Sequence, residues 1–150
     1  MGIQIDISGI EDIEKYLDSA PEKLLEGALA GVNIASEKMV ADAKAYVDSN
    51  NSIIKGDLRE SIHADKTNVD ALSIEGGISA NVEHAVFVEM GTGQRGRKSP
   101  SPPKTPDDKL YHREDWAGMS AQPFMYPAYV NAQEEAPKIV KENIMKKLKE

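Results

Sequence analysis

Cysteine is missing from all 150 residues. That removes disulfides, thiolate zinc sites and cysteine nucleophiles together, and it fits folding in a reducing compartment such as the cytoplasm. Aromatic residues amount to only 5%, so a core has to be built from Ile, Leu, Val, Ala and Met and is thin unless neighbours add to it. Long apolar runs are also wanting. Nothing approaches the roughly 20 residues of a bilayer span, and the opening MGIQIDISG lacks the basic and apolar regions of a secretion signal, so neither membrane spanning nor export is expected. Positive charge is the last scarcity. Eighteen Lys and Arg against 25 Asp and Glu give a net charge of −7, which argues against coating a nucleic acid, where clustered cations are needed, while leaving room for one local basic loop.

What is present suits a single domain over residues 1–150, a length that buries about 70% of its unfolded surface. Ile3, Ile5 and Ile7 alternate with polar residues, the period of a short half-buried strand. Ser8 and Glu11 form a capping-box pair, which predicts a short helix over Ile10 to Asp18. Ser19, Pro21 and Glu22 repeat the signal and predict a second, longer helix. Its apolar positions Leu25, Ala28, Leu29, Val32, Ala35, Met39, Ala43 and Tyr46 fall three or four apart and form one stripe. Gly27 and Gly31, four apart, could admit a close neighbour, but simple tolerance is the favoured reading. The run DSNNS from Asp48 ends this helix.

Beyond it, Gly56 and Asp57 open a short turn with Leu58 and Ile62. Leu72, Ile74, Gly76 and Ile78 then alternate with polar or small residues, predicting a hairpin of Ile62–Thr67 and Ala71–Ser79 turning at Asn68–Asp70. Gly76 and Gly77 suggest a bulge or a close backbone approach. The densest apolar run, Ala85 to Val88, is expected to pack the sheet against the long helix. It leads through Glu89 to Gly91 and Gly93, and from there into a basic, Pro-rich loop over about 94–119, read as flexible and free of regular structure. Pro127 can open a last helix, which Pro137 should kink or split. Its terminal lysines Lys141, Lys146, Lys147 and Lys149 suit a helix C-terminus. The class is therefore α+β: a small twisted antiparallel sheet on a long N-terminal amphipathic helix, a C-terminal helix and a long basic loop. The expected core is Leu25, Leu29, Val32, Met39, Leu58, Ile62, Ile74, Val86, Phe87 and Val88.

Catalytic chemistry finds little support. Gly91, Gly93 and Gly96 spell GxGxxG, but Arg97, Lys98, Ser99 and Pro100 follow and no helix is expected to begin there to hold a pyrophosphate. His63, His84 and His112 have no metal-ligand spacing. Glu83 and Glu89 beside His84, with Arg95 or Lys98 as phosphate contacts, sketch a metal-dependent DNA-processing enzyme. Glutamates flanking a short apolar run are more simply its solvated side, although Glu89 could also cap or pair at that edge. No catalytic, cofactor or metal residue is assigned. The loop suits binding instead: its charges and prolines fit a segment that orders against a partner, and Trp116 at its far end is either an anchor on the body or an interface contact. A non-viral adaptor whose Pro-rich loop meets a peptide-recognition domain is a further alternative.

Three motifs occur in order: Gly56-Asp-Leu-Arg-Glu-Ser-Ile62, His84-Ala-Val-Phe-Val-Glu-Met-Gly-Thr-Gly93, and Gln122-Pro-Phe-Met-Tyr-Pro-Ala128. In this the chain resembles the HK97 gp10-like family of tailed-phage proteins, with its G-[ND]-L-R-x-S-I, Y-A-x-[FY]-V-E-[FM]-G-T and Q-P-F-x-x-P-A segments. Two departures stand out: His84 occupies a position more often tyrosine, and the loop is long and basic. The resemblance implies a non-enzymatic virion protein of a phage or prophage, without cofactor, acting in tail completion or head-to-tail joining. It implies monomers that assemble into a ring at the neck or tail end, beside connector or stopper proteins and the tail terminator or tail tube. DNA would pass nearby without sequence-specific binding, and the protein would be made in the host cytoplasm. Glu89, Gly91, Thr92, Gly93, Arg95, Arg97, Lys98, Trp116 and Phe124 are the residues expected at the assembly interface.

Overall fold

The computed structural model describes residues 10–50, 55–70, 73–101 and 113–150, apart from the side chains of 10–14, 16, 17 and 55. The expected strand at Ile3–Ile7, the Ser8–Glu11 cap, Leu72, His112 and the middle of the basic loop lie outside the described residues.

The first helix, α1, runs unbroken over Ile10–Ser49 with Pro21 inside it, so the two expected N-terminal helices are one. Pro21 sits at an exposed position, where water can satisfy the carbonyl that it leaves unpaired. At 1.5 Å per residue α1 is about 60 Å long. The last helix, α5 (Met125–Lys149), likewise continues through the exposed Pro137 rather than splitting there.

These two helices lie antiparallel, and glycine sets their separation. A Cβ on Gly31 would stand 2.6 Å from Val140 Cα, and one on Gly27 would stand 2.7 Å from Ile144 Cα. Close packing, not tolerance, is therefore the role of this pair, and it offsets a propensity cost of about 1 kcal/mol for each glycine. Lys38 Nζ ties the helices at the surface, 2.6 Å from Glu135 Oε2 and 3.3 Å from Asp42 Oδ2. These hydrogen bonds hold its ammonium above the usual lysine range, but exposed pairs of this kind contribute little stability. One substitution made at two glycines should act with opposite signs. Gly31→Ala should cost about 1–3 kcal/mol by overpacking. In α2 (Lys55–Ser61), a Cβ on Gly56 meets nothing within 4 Å among the described residues, so Gly56→Ala should stabilise by up to about 1 kcal/mol. Urea midpoints of the two variants check this.

After α2 comes the hairpin of β1 (Ile62–Ala64), β2 (Asn68–Val69), β3 (Ile74–Glu75) and β4 (Ile78–Ala80). β1 pairs antiparallel with β4, placing Ile62 opposite Ala80, and β2 pairs with β3, placing Val69 opposite Ile74. Asn68 and Val69, expected in the turn, instead pair with β3, and beyond them the Asp70 N–H donates to Ser73 O at 2.8 Å. Gly76 and Gly77 separate β3 from β4. A Cβ on Gly76 would stand 2.6 Å from Val32 Cγ1 and 2.7 Å from Ser36 Oγ, so the hairpin backbone rests directly on α1.

The buried core joins Val40, Ala43 and Val47 of α1 to Leu58, Ile62, Ala85, Val88, Phe124 and Ala128. Leu25 and Phe87 do not belong to it, being 49% and 39% exposed. Leu25 lies on a part of α1 beyond the hairpin. Phe87 is turned out because its segment is a short helix, α3 (Ala85–Met90), with Ala85, Val88 and Glu89 on the buried side. Leu29, Val32, Met39, Ile74 and Val86 are half-buried.

Candidate functional site: the junction around Glu89

Glu89 is 6% exposed, which overturns the reading of a solvated flank. Burying a carboxylate is costly unless its oxygens are satisfied, and here both are. Its Oε2 accepts from Phe124 N at 2.7 Å and Met125 N at 2.9 Å. Its Oε1 accepts from Tyr126 N at 2.9 Å and Ser101 Oγ at 2.7 Å. A helix start leaves four amides without intrahelical partners. At the start of α5, three of these donate to Glu89, and the next residue, Pro127, has no N–H to satisfy. The carboxylate thus caps α5 from outside the helix, where the dipole favours negative charge. Asn50, just past the end of α1, holds the approach to α5, with Nδ2 donating to Gln122 O at 3.0 Å.

The backbone behind Glu89 has to turn sharply. Gly91 adopts φ 70 and ψ −178, a region essentially confined to glycine, and its N–H donates to Phe87 O at 2.9 Å. Thr92 and Met119 exchange backbone hydrogen bonds at 2.8 and 3.0 Å, and Thr92 Oγ1 also accepts from Met119 N at 2.9 Å. Gly93 (φ 60) and Gly118 (φ 66) face each other across this clasp, where a Cβ on Gly93 would stand 2.5 Å from Trp116 O. No side chain fits between these strands of backbone.

The described ends of the basic loop are consequently tied rather than free. A one-turn helix, α4 (Gly93–Gly96), forms within the GxGxxG stretch and ends with it, where a loop free of regular structure was expected from about 94; no helix begins at Arg97–Pro100. Gln94 N donates to Trp116 O and Arg95 N to Ala117 O, both at 3.0 Å, while Arg97 Nη2 pairs with Glu114 Oε1 at 2.8 Å.

The structure separates the expected interface residues into two groups. Glu89, Thr92, Phe124, Gly91 and Gly93 are buried within the chain. Arg95, Arg97 and Lys98 are exposed, and the Trp116 side chain is 54% exposed although its carbonyl holds Gln94. Ser101, Asn50 and Gly118 were not singled out from the sequence. A serine in a Pro-rich run, an asparagine in a turn and a glycine in a loop carry no local sign of their distant partners.

Chemically, a carboxylate offers about four lone-pair sites, and the four donors around Glu89 occupy them. Little remains to hold a cation. Among the described residues, no group of three His, Asp or Glu side chains is placed to hold a metal ion. His63 Nδ1 lies 2.8 Å from Ser61 O.

Residues 10–91 match the protein-family model HK97-gp10_like, described as "Bacteriophage HK97-gp10, putative tail-component". The chain belongs to the HK97 gp10-like family. The role that goes with membership is that of a phage tail component, which implies a place in the virion and contact with other phage structural proteins. No curated protein and no solved structure matches the chain. The family match ends at Gly91, whereas the carboxylate inside it, Glu89, is satisfied by amides 35 to 37 residues further on. In this HK97 gp10-like protein, the matched region and the C-terminal helix are therefore tied together through Glu89. No helix among the described residues is long and apolar enough to cross a membrane.

Proposed function

We propose that the protein is a non-enzymatic component of the phage neck or tail end, acting in tail completion or head-to-tail joining as a ring of identical copies. The observation that carries the non-enzymatic reading is the spent carboxylate of Glu89. The most acidic-looking feature of the central motif holds the C-terminal helix in place and has no lone pair left for substrate. Exposed Phe87, Trp116, Met119, Tyr129 and Val130 give the surface apolar area for neighbours, which suits a subunit completed by assembly. Its partners in this reading are the connector or stopper on one side and the tail terminator or tail tube on the other. Net negative charge on the ring would let DNA slide past without sticking.

Particles made without the protein test the proposal. Filled heads accumulating apart from tails, or tails with abnormal ends, are the expected outcome; normal infectious particles would overturn it. The DNA-processing alternative is checked on the unaltered chain, because Glu89 variants are expected to lose fold as well as any activity. Incubation with duplex DNA and a divalent cation should give no cleavage.

A further inference from the structure

Between the hairpin and the start of α5 lies a pocket of about 330 Å³. Met39 of α1, Met90 of α3, Tyr126 and Tyr129 of α5, and the hairpin residues Gly77 and Ile78 line it. Glu89 and Ser101 also reach it, but they are hydrogen-bonded to each other and Glu89 to α5, so an occupant meets chiefly apolar surface. Part of the wall is bare backbone, that of Gly76 and Gly77 between β3 and β4. β4 pairs with β1, and no strand among the described residues lies on its other edge. An occupant suited to such a place is extended, apolar at alternate residues, and supplies backbone groups of its own.

The sequence contains one such segment. Ile3, Ile5 and Ile7 alternate with Gln4, Asp6 and Ser8 immediately ahead of Ile10, where α1 begins. This segment cannot reach the pocket of its own chain. Gly76 beside the pocket rests on Val32, about six turns or roughly 33 Å along α1 from Ile10. Ile5 can extend at most about 18 Å from Ile10. The pocket of another copy is under no such limit.

We propose that the Ile3–Ile7 segment of one copy docks as an added strand along Gly76–Ile78 of the next, with Ile5 in the pocket. The contact is head-to-tail, so repetition closes a ring or continues a filament. It deepens the ring reading above and rests on that reading only for its place in the particle.

The absence of cysteine makes a cross-linking test clean. Gly77 has room for a side chain, since among the described residues a Cβ there meets only Asp65 Oδ2 at 3.4 Å. A disulfide needs Cα atoms within about 7 Å, so an Ile5→Cys, Gly77→Cys chain can link only to another copy. Mild oxidation should give a ladder of multimers at least tenfold faster than for an Ile5→Cys, Lys141→Cys control; equal rates would overturn the proposal. Sedimentation of blocked variants gives a second arm. The unaltered chain should associate as concentration rises, while Ile5→Asp and Gly77→Leu should each stay monomeric. Their equimolar mixture should form a dimer and nothing larger, because one segment and one pocket remain intact. A monomeric mixture, a monomeric parent, or association that survives Ile5→Asp would overturn the proposal. Failure of the tail reading looks different: particles lacking the protein would be normal while these solution contacts persisted.

Discussion

Glu89→Ala is expected to lower the free energy of unfolding by about 3–5 kcal/mol, since it strands buried donors that now meet a charge. Phe124 N, Met125 N, Tyr126 N and Ser101 Oγ all lose their acceptor in one step. Set against the 5–15 kcal/mol typical of a domain, the loss takes a large share of the whole. Glu89→Gln should cost less, since one oxygen remains an acceptor, but its amide nitrogen then faces N–H groups that it cannot satisfy. Urea unfolding followed by circular dichroism measures both variants. Amide exchange should quicken first at Phe124, Met125 and Tyr126 and spread down α5, because a helix start without partners frays. A Glu89→Gln protein as stable as its parent, with those amides still protected, would show that the cap contributes nothing.

Gly91→Val should be nearly as damaging, at about 3 kcal/mol or more, through two separate causes. Its φ of 70 and ψ of −178 belong to a region in which a β-branched residue is strained. A Cβ there would also stand 2.6 Å from Ala121 N and 2.7 Å from both Gly96 Cα and Met119 O, all backbone atoms, which can yield only by moving the chain. α1 packs on α5 far from this junction through Gly27 and Gly31, so helix content should fall little. The local consequence should be loss of the Thr92–Met119 pairing and displacement of Glu89 from the start of α5. Exchange at Thr92 and Met119 reads the first effect. Incorporation into particles reads the consequence for assembly, and full infectivity of the variant would separate the junction from function.

Much of this architecture was legible in the sequence where the cause is local. Apolar residues three and four apart marked the long helix, and alternation at Ile74 and Ile78 marked the hairpin. Proline, glycine and asparagine marked the breaks. Errors arose where a local signal competed with packing. Pro21 reads as a helix start, yet α1 runs through it at an exposed position, where water can take up the carbonyl it leaves unpaired. Ala85 to Val88 reads as a buried run, yet a six-residue helix turns Phe87 outward. Gly27 and Gly31 read as neutral because nothing near them in sequence reveals Val140 and Ile144 on their other side.

The junction from His84 to Gly93 shows the same division most clearly. Its composition alone determined that an apolar run, an acid and a glycine pair stand at the edge between ordered structure and a basic loop. The order of three motifs was enough to point to a phage protein family. Only the tertiary structure decided what the acid does. A carboxylate's role depends on which donors surround it. Those around Glu89 come from a helix start and a serine that the chain brings in over 12 to 37 residues, a distance at which spacing carries no information about contact.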